Sequence, residues 1–150
     1  MITIIVLGID PYLLRDLSRD LTKPLSSLCE VSEDDIDFYA PEGLLVHKGV
    51  EQNTWNVKVR VVAPRKVQVL QKQIAKTIAE FLSHAVIHIT IVFSYYLSDE
   101  REVFINKEYP LYMDEKNSVI FETTSEEEEG EEVYTGNIFE KIDKDIKDKK

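Results

Sequence analysis

Cysteine occurs once, at Cys29, so no internal disulfide can form and a reducing compartment suits the chain. That thiol closes an apolar stripe and reads as a small buried hydrophobe rather than a nucleophile. Histidine is scarce as well, with His47, His84 and His88 only. No two of them share a helix at a metal-pair spacing, and neither HExxH nor CxxC occurs, so no metal and no cofactor is expected. Glycine is too sparse for a phosphate-cradling loop. The turn Gly8-Ile9-Asp10-Pro11 has one glycine and sets an acid at a helix start, which repels phosphate. No stretch approaches the ~20 apolar residues of a membrane span. The Ile2 to Leu7 run is too short for a signal sequence's apolar region and lacks a basic start. A basic excess is missing too. Net charge is -10 over 150 residues. From Asp114 onward stand 13 acidic and 6 basic residues, leaving -3 for the body before it. Neither part carries the footprint of a nucleic-acid binder.

What is present is organised around Thr54 to Phe93. Trp55, Val57, Val59 and Val61 alternate with Asn56, Lys58 and Arg60, which predicts a strand over Trp55 to Val62 with the first set buried. Pro64 suits a first helical turn. From Arg65 the period lengthens. Val67, Leu70, Ile74, Ile78, Phe81 and Leu82 make one helical stripe, predicting a helix to Ser83. Ile87, Ile89, Ile91 and Phe93 then restore the period of two. A helix joining two strands in this way favours a parallel, right-handed crossover.

The first third repeats that order. Ile2 to Leu7 predicts a strand, and Asp10-Pro11 a helix start. Leu13, Leu14, Leu17, Leu21, Leu25 and Leu28 form the helical stripe, with a bend or break expected at Pro24. Ile36, Phe38 and Tyr39 open a short strand. Leu44 to Val46 can make a short strand in the connection to Trp55, and Val103 to Ile105 a final one. These patterns divide the chain into a domain over 1–113 and an acidic tail over 114–150. Ser125 to Glu132 has the composition of a disordered segment. Asn137 can cap a short helix carrying Ile138, Phe139, Ile142 and Ile146.

Strand-helix-strand, twice, with a short terminal strand resembles the tautomerase superfamily, whose best known member is macrophage migration inhibitory factor. The body is most similar to the small uncharacterised bacterial branch of that superfamily. The residues that carry the resemblance are the Ile2 to Leu7 strand, the Gly8-Ile9-Asp10 turn, Ile36-Asp37-Phe38-Tyr39, and Trp55-Asn56-Val57-Lys58-Val59. The resemblance covers residues 1 to about 112 and omits the tail. It implies an α+β fold: two β-α-β repeats forming a four-stranded sheet, both helices on one face, three subunits to an assembly. The superfamily's enzymes use an N-terminal proline as general base. Here Ile2 blocks methionine removal, Met1 stays, and no proline precedes Pro11. No catalytic residue is carried over.

With the helices over Val57 and Val59, Lys58, Arg60 and His88 share the opposite face. They read as a cluster for a small anionic ligand or as ion-pair partners for a neighbouring subunit, the second being a common use of such residues. Tyr96 closes the last strand, where the resemblance implies aromatic residues near a pocket; packing at an interface is the other reading. Met1, Lys58, Arg60, His88 and Tyr96 are therefore the candidate ligand-binding residues. The favoured function is a non-catalytic, cytoplasmic tautomerase-like homotrimer binding a small molecule or a protein partner. The alternatives are a weak keto-enol tautomerase using the Met1 amine, and a ferredoxin-like ligand-sensing or assembly module. Direct parallel pairing of Ile2 to Leu7 with Ile36 to Tyr39 separates the first two readings from the last.

Overall fold

The structure is a computed structural model, and it describes residues 1–113. The expected acidic tail, its low-complexity run and its candidate helix from Asn137 lie outside the described residues. Met1–Tyr112 make one compact unit.

Strand β1 (Ile2–Leu7) leads to helix α1 (Pro11–Cys29), then to β2 (Ile36–Tyr39). A hairpin of β3 (Val46–His47) and β4 (Val50–Glu51) follows. Strand β5 (Asn56–Pro64), helix α2 (Gln71–Leu82) and strand β6 (His88–Tyr96) complete the body. The main sheet has the order β2-β1-β5-β6. β1 pairs with β2 in parallel, Ile2 opposite Ile36, and β5 pairs with β6 in parallel, Val57 opposite Ile89. The two halves meet where β1 runs antiparallel to β5, with Val6 opposite Val59. Direct parallel pairing of β1 with β2 is the arrangement that separates this fold from a ferredoxin-like one.

Helix α1 starts where the sequence says it should. The Asp10 carboxylate accepts from the amides of Tyr12 and Leu13 at 2.9 and 3.0 Å, and Pro11 occupies the first turn. Glu30 ends it in the left-handed conformation, its amide bonded to the Ser26 carbonyl. Of the bend or break expected at Pro24, the break does not occur, and α1 continues through it. Leu21, Leu25 and Cys29 are all buried around it, each leucine within 2% exposure. Burying one leucine stabilises by about 1.5–3 kcal/mol, so two flanking leucines outweigh an interior proline's cost of about 3 kcal/mol.

Both helices cover one sheet face. Ile2, Ile4, Val6, Val57, Val59, Val61 and Ala63 point into the core against Leu14, Leu21, Ile74 and Ile78. No polar or charged residue is buried there among the described residues. Three further expectations need correction. Trp55 lies outside the strand and is 56% exposed, because Thr54 just before it turns at φ 64. The stretch Arg65–Leu70 is a 3-10 helix rather than the first turns of α2, and Pro64 belongs to the strand. Val103 to Ile105 form no strand within this subunit, and Phe104 is 94% exposed. A strand needs a partner ladder, and this segment has none within the subunit.

Candidate functional site

The helix-free face of the sheet follows from the register. Thr3, Ile5 and Leu7 of β1 stand beside Val62, Arg60 and Lys58 of β5. Lys58, Arg60, Val62 and Pro64 stand beside Thr90, Val92, Ser94 and Tyr96 of β6. Lys58, Arg60, His88 and Tyr96 therefore share one open face, and strand alternation puts the Met1 side chain on it as well. Sharing a face does not make one cluster. From His88 to Tyr96 the strand advances roughly 26 Å at about 3.3 Å per residue, so the candidates divide between two ends.

At one end sits Met1. The Tyr96 hydroxyl donates to the Met1 carbonyl at 2.7 Å, and the Arg101 guanidinium reaches the Met1 sulfur at 3.3 Å. The Met1 ammonium faces an Asp35 carboxylate oxygen at 3.6 Å. Asp37 lies next to Thr3 across the β1–β2 pair, and one of its carboxylate oxygens is buried without a hydrogen-bond partner. Burial pushes the Tyr112 phenol up, and the negative charges of Asp37, Asp34 and Asp35 push it further, with Arg101 opposing them. This end is thus rich in acid and already internally bonded. No group of acidic, histidine or cysteine residues suited to hold a metal ion occurs among the described residues.

The other end is different. His88 packs edge-on against the Trp55 ring, with centroids 6.0 Å apart. Arg60, midway, donates to the Ser94 hydroxyl at 3.3 Å. Lys58 borders an open groove of about 340 Å³ between the β3–β4 hairpin and the sheet. Leu45, Val46, His47 and Gln52 form one wall of it; Asn56, Val57, Lys58 and Thr90 form the floor. The wall is fastened by Asn53, whose side chain accepts from the Leu45 amide at 2.9 Å and donates to the Gly43 carbonyl at 3.0 Å. Gly8 turns below it at φ 85, its carbonyl accepting from the Thr54 amide at 2.7 Å. A glycine is required there, because a Cβ would stand 3.0 Å from the Asn56 carbonyl oxygen. His47 and Thr90 were not among the candidate ligand-binding residues. The Lys48-Gly49 pair, both at positive φ, was the available sign of a tight hairpin that would bring His47 over the sheet.

No family model and no curated protein matches the sequence. Solved structures do match the fold. The crystal structure of a domain of unknown function from Sebaldella termitidis aligns with a TM-score of 0.63 at 22% identity, over 69% of this chain and 95% of that one. A macrophage migration inhibitory factor-like protein from Entamoeba histolytica aligns with a TM-score of 0.55 at 9% identity, over 69% of this chain and 95% of that one. The fold is that of the tautomerase and macrophage migration inhibitory factor superfamily. A fused 4-OT, described as a wild-type symmetric trimer, shares it with a TM-score of 0.54 at 12% identity, over 67% of this chain and 90% of that one. Within this tautomerase fold, β1 opens with Ile2, 1% exposed in the core, and the strand itself contains no proline. No helix among the described residues is long and apolar enough to cross a membrane.

Proposed function

We propose that the chain is a non-catalytic protein on the tautomerase fold, acting as a homotrimer in the cytoplasm and binding a small anionic molecule or a protein partner on its open sheet face. The reading takes residues 1–113 as the tautomerase-like domain and 114–150 as an appended acidic tail. The observation that carries it is the start of β1. Where the resemblance calls for a proline amine, the strand offers a buried Ile2 and a Met1 whose carbonyl, sulfur and ammonium are each engaged. A primary amine facing the Asp35 carboxylate thus stands where the resemblance calls for a secondary amine in an apolar pocket.

Trimer formation is supported by the fused 4-OT of the same fold and by the sheet's two open edges, β2 and β6. Open edges invite pairing with another chain. Val92 at 56% exposure on the open face adds apolar surface for such a contact. Light scattering after size exclusion is expected to give three times 17.4 kDa, and Val92→Asp to lower that mass. For the non-catalytic part, keto-enol interconversion of a small α-keto acid is expected to run at the buffer rate. A large enhancement that disappears when the Met1 amine is acetylated overturns it.

A further inference from the structure

The groove beside Lys58 has a charge pattern that the rest of the open face lacks. Among the described residues, Lys58 is the one charged residue lining it, and no aspartate or glutamate does. The salt bridges among the described residues join Met1 to Asp35, Arg15 to Asp16 and Lys76 to Glu80, and none of them uses Lys58. Glu51 is the nearest acid on the hairpin; it stands opposite Val46 and does not line the groove. The Thr90 hydroxyl lies next to Lys58 in register, on the same face.

Each side-chain amide at the groove has one of its two N–H groups committed. Asn56 Nδ2 donates to Gln52 Oε1 at 2.9 Å, and Gln52 Nε2 donates to the Val50 carbonyl at 3.2 Å. The Lys58 ammonium and the Thr90 hydroxyl stand on the floor with no hydrogen bond to another side chain among the described residues, and His47 lies across from them. Leu45 and Val46 supply an apolar flank. The volume, about 340 Å³, falls at the small end of the ~300–1,000 Å³ typical of small-molecule sites.

We infer that this groove, between the β3–β4 hairpin and the β5–β6 floor, binds a small monocarboxylate with an apolar body. The carboxylate sits on Lys58 Nζ and the Thr90 hydroxyl, and the body lies against Leu45 and Val46. One fixed cation matches one negative charge; a phosphate dianion would want a second cation or a nest of backbone amides, and the floor offers neither. The site lies at the far end of β1 from Met1, since Lys58 stands opposite Leu7. The wall is set before any ligand arrives: besides the Asn53 clamp, the Gln52 amide donates to the Leu45 carbonyl at 2.7 Å and the Asn56 amide to the Gln52 carbonyl at 2.8 Å. Preformed walls spare the ordering cost of binding.

This inference gives a ligand class and a place to the binding role proposed above and rests on that role. Its test is titration of the full chain with benzoate, followed by calorimetry and by amide shifts in NMR. Saturable binding is expected, with the largest shifts at Val46, His47, Lys58 and Thr90, and with benzyl alcohol far weaker. Lys58→Met is expected to weaken benzoate about tenfold, the worth of one charge-assisted hydrogen bond. Lys72→Met, an equal charge change on helix α2, is expected to leave affinity unchanged. Both side chains are exposed, and matching circular dichroism will show that both variants fold. Absence of saturable binding overturns the inference, as does equal loss in the two variants or shifts centred on Met1 and Tyr96. Those outcomes leave the non-catalytic reading standing, because that reading falls on keto-enol turnover instead.

Discussion

The Tyr96 hydroxyl and the Met1 carbonyl, 95 positions apart in sequence, share a hydrogen bond of 2.7 Å. It ties the last residue of β6 to the approach of β1 across the intervening β5. The tie is part-buried and has one donor and one acceptor, so its loss has a simple expected size. Tyr96→Phe is expected to lower stability by about 1 kcal/mol. Urea unfolding at a fixed protein concentration measures it, since assembly would make the midpoint depend on concentration.

Pro24 gives the opposite sign. It sits inside α1, where every neighbouring residue is helical. Replacing it with alanine restores a backbone donor and removes a ring that clashes with the preceding turn. Pro24→Ala is expected to raise stability by about 1–3 kcal/mol. Guanidinium unfolding reads the gain as a higher midpoint at unchanged slope.

Two glycines with nearly equal φ differ in their surroundings. Gly8 and Gly49 lie at φ 85 and φ 80, but an added Cβ meets the Asn56 carbonyl oxygen at 3.0 Å at Gly8 and open space at Gly49. Gly49→Ala therefore bears conformational strain alone, about 1 kcal/mol. Gly8→Ala adds a backbone contact that must give way, and is expected to cost at least twice as much. Thermal melts of the two variants side by side check the order.

Burial pushes the Cys29 thiol up from its ordinary range. A raised value in the folded chain means that the native state holds its proton after the unfolded state has released it. The stabilisation is complete below the unfolded cysteine value, about 8.5, and is lost as pH climbs from there through the raised value. Cys29→Ala is expected to remove that part of the decline in stability at alkaline pH. With intact protein near neutral pH, a thiol reagent is expected to label Cys29 only as fast as the chain opens.

The elements that periodicity could reveal were legible because each buries one continuous face. The stripe Val67, Ile74, Ile78 and Leu82 is buried as its spacing required, and so are Ile2, Ile4 and Val6. Features set by a neighbour escaped. Trp55 fits the alternation of Val57 and Val59, yet the strand begins one residue later, because Thr54 turns away to bond Gly8. Val103 to Ile105 look like a strand but find no ladder within the subunit. Of the candidate site, the shared face of Lys58, Arg60, His88 and Tyr96 was legible from strand parity. Which end Met1 and Lys58 occupy was not, since that depends on register between distant strands. The groove was hidden for a similar reason: His47 and Thr90 come together only through the Asn53 clamp on the hairpin.

Within the sheet, the two strand-helix-strand halves touch through a single seam, β1 against β5. The segment linking them passes over an exposed hairpin tip at Lys48 and Gly49. A cut at that tip breaks no strand pairing but the hairpin's own. Co-produced as separate polypeptides, the two pieces would still possess matching edges and matching helix faces. They would recombine as complementary fragments, with the seam acting as a recognition surface between near-repeats.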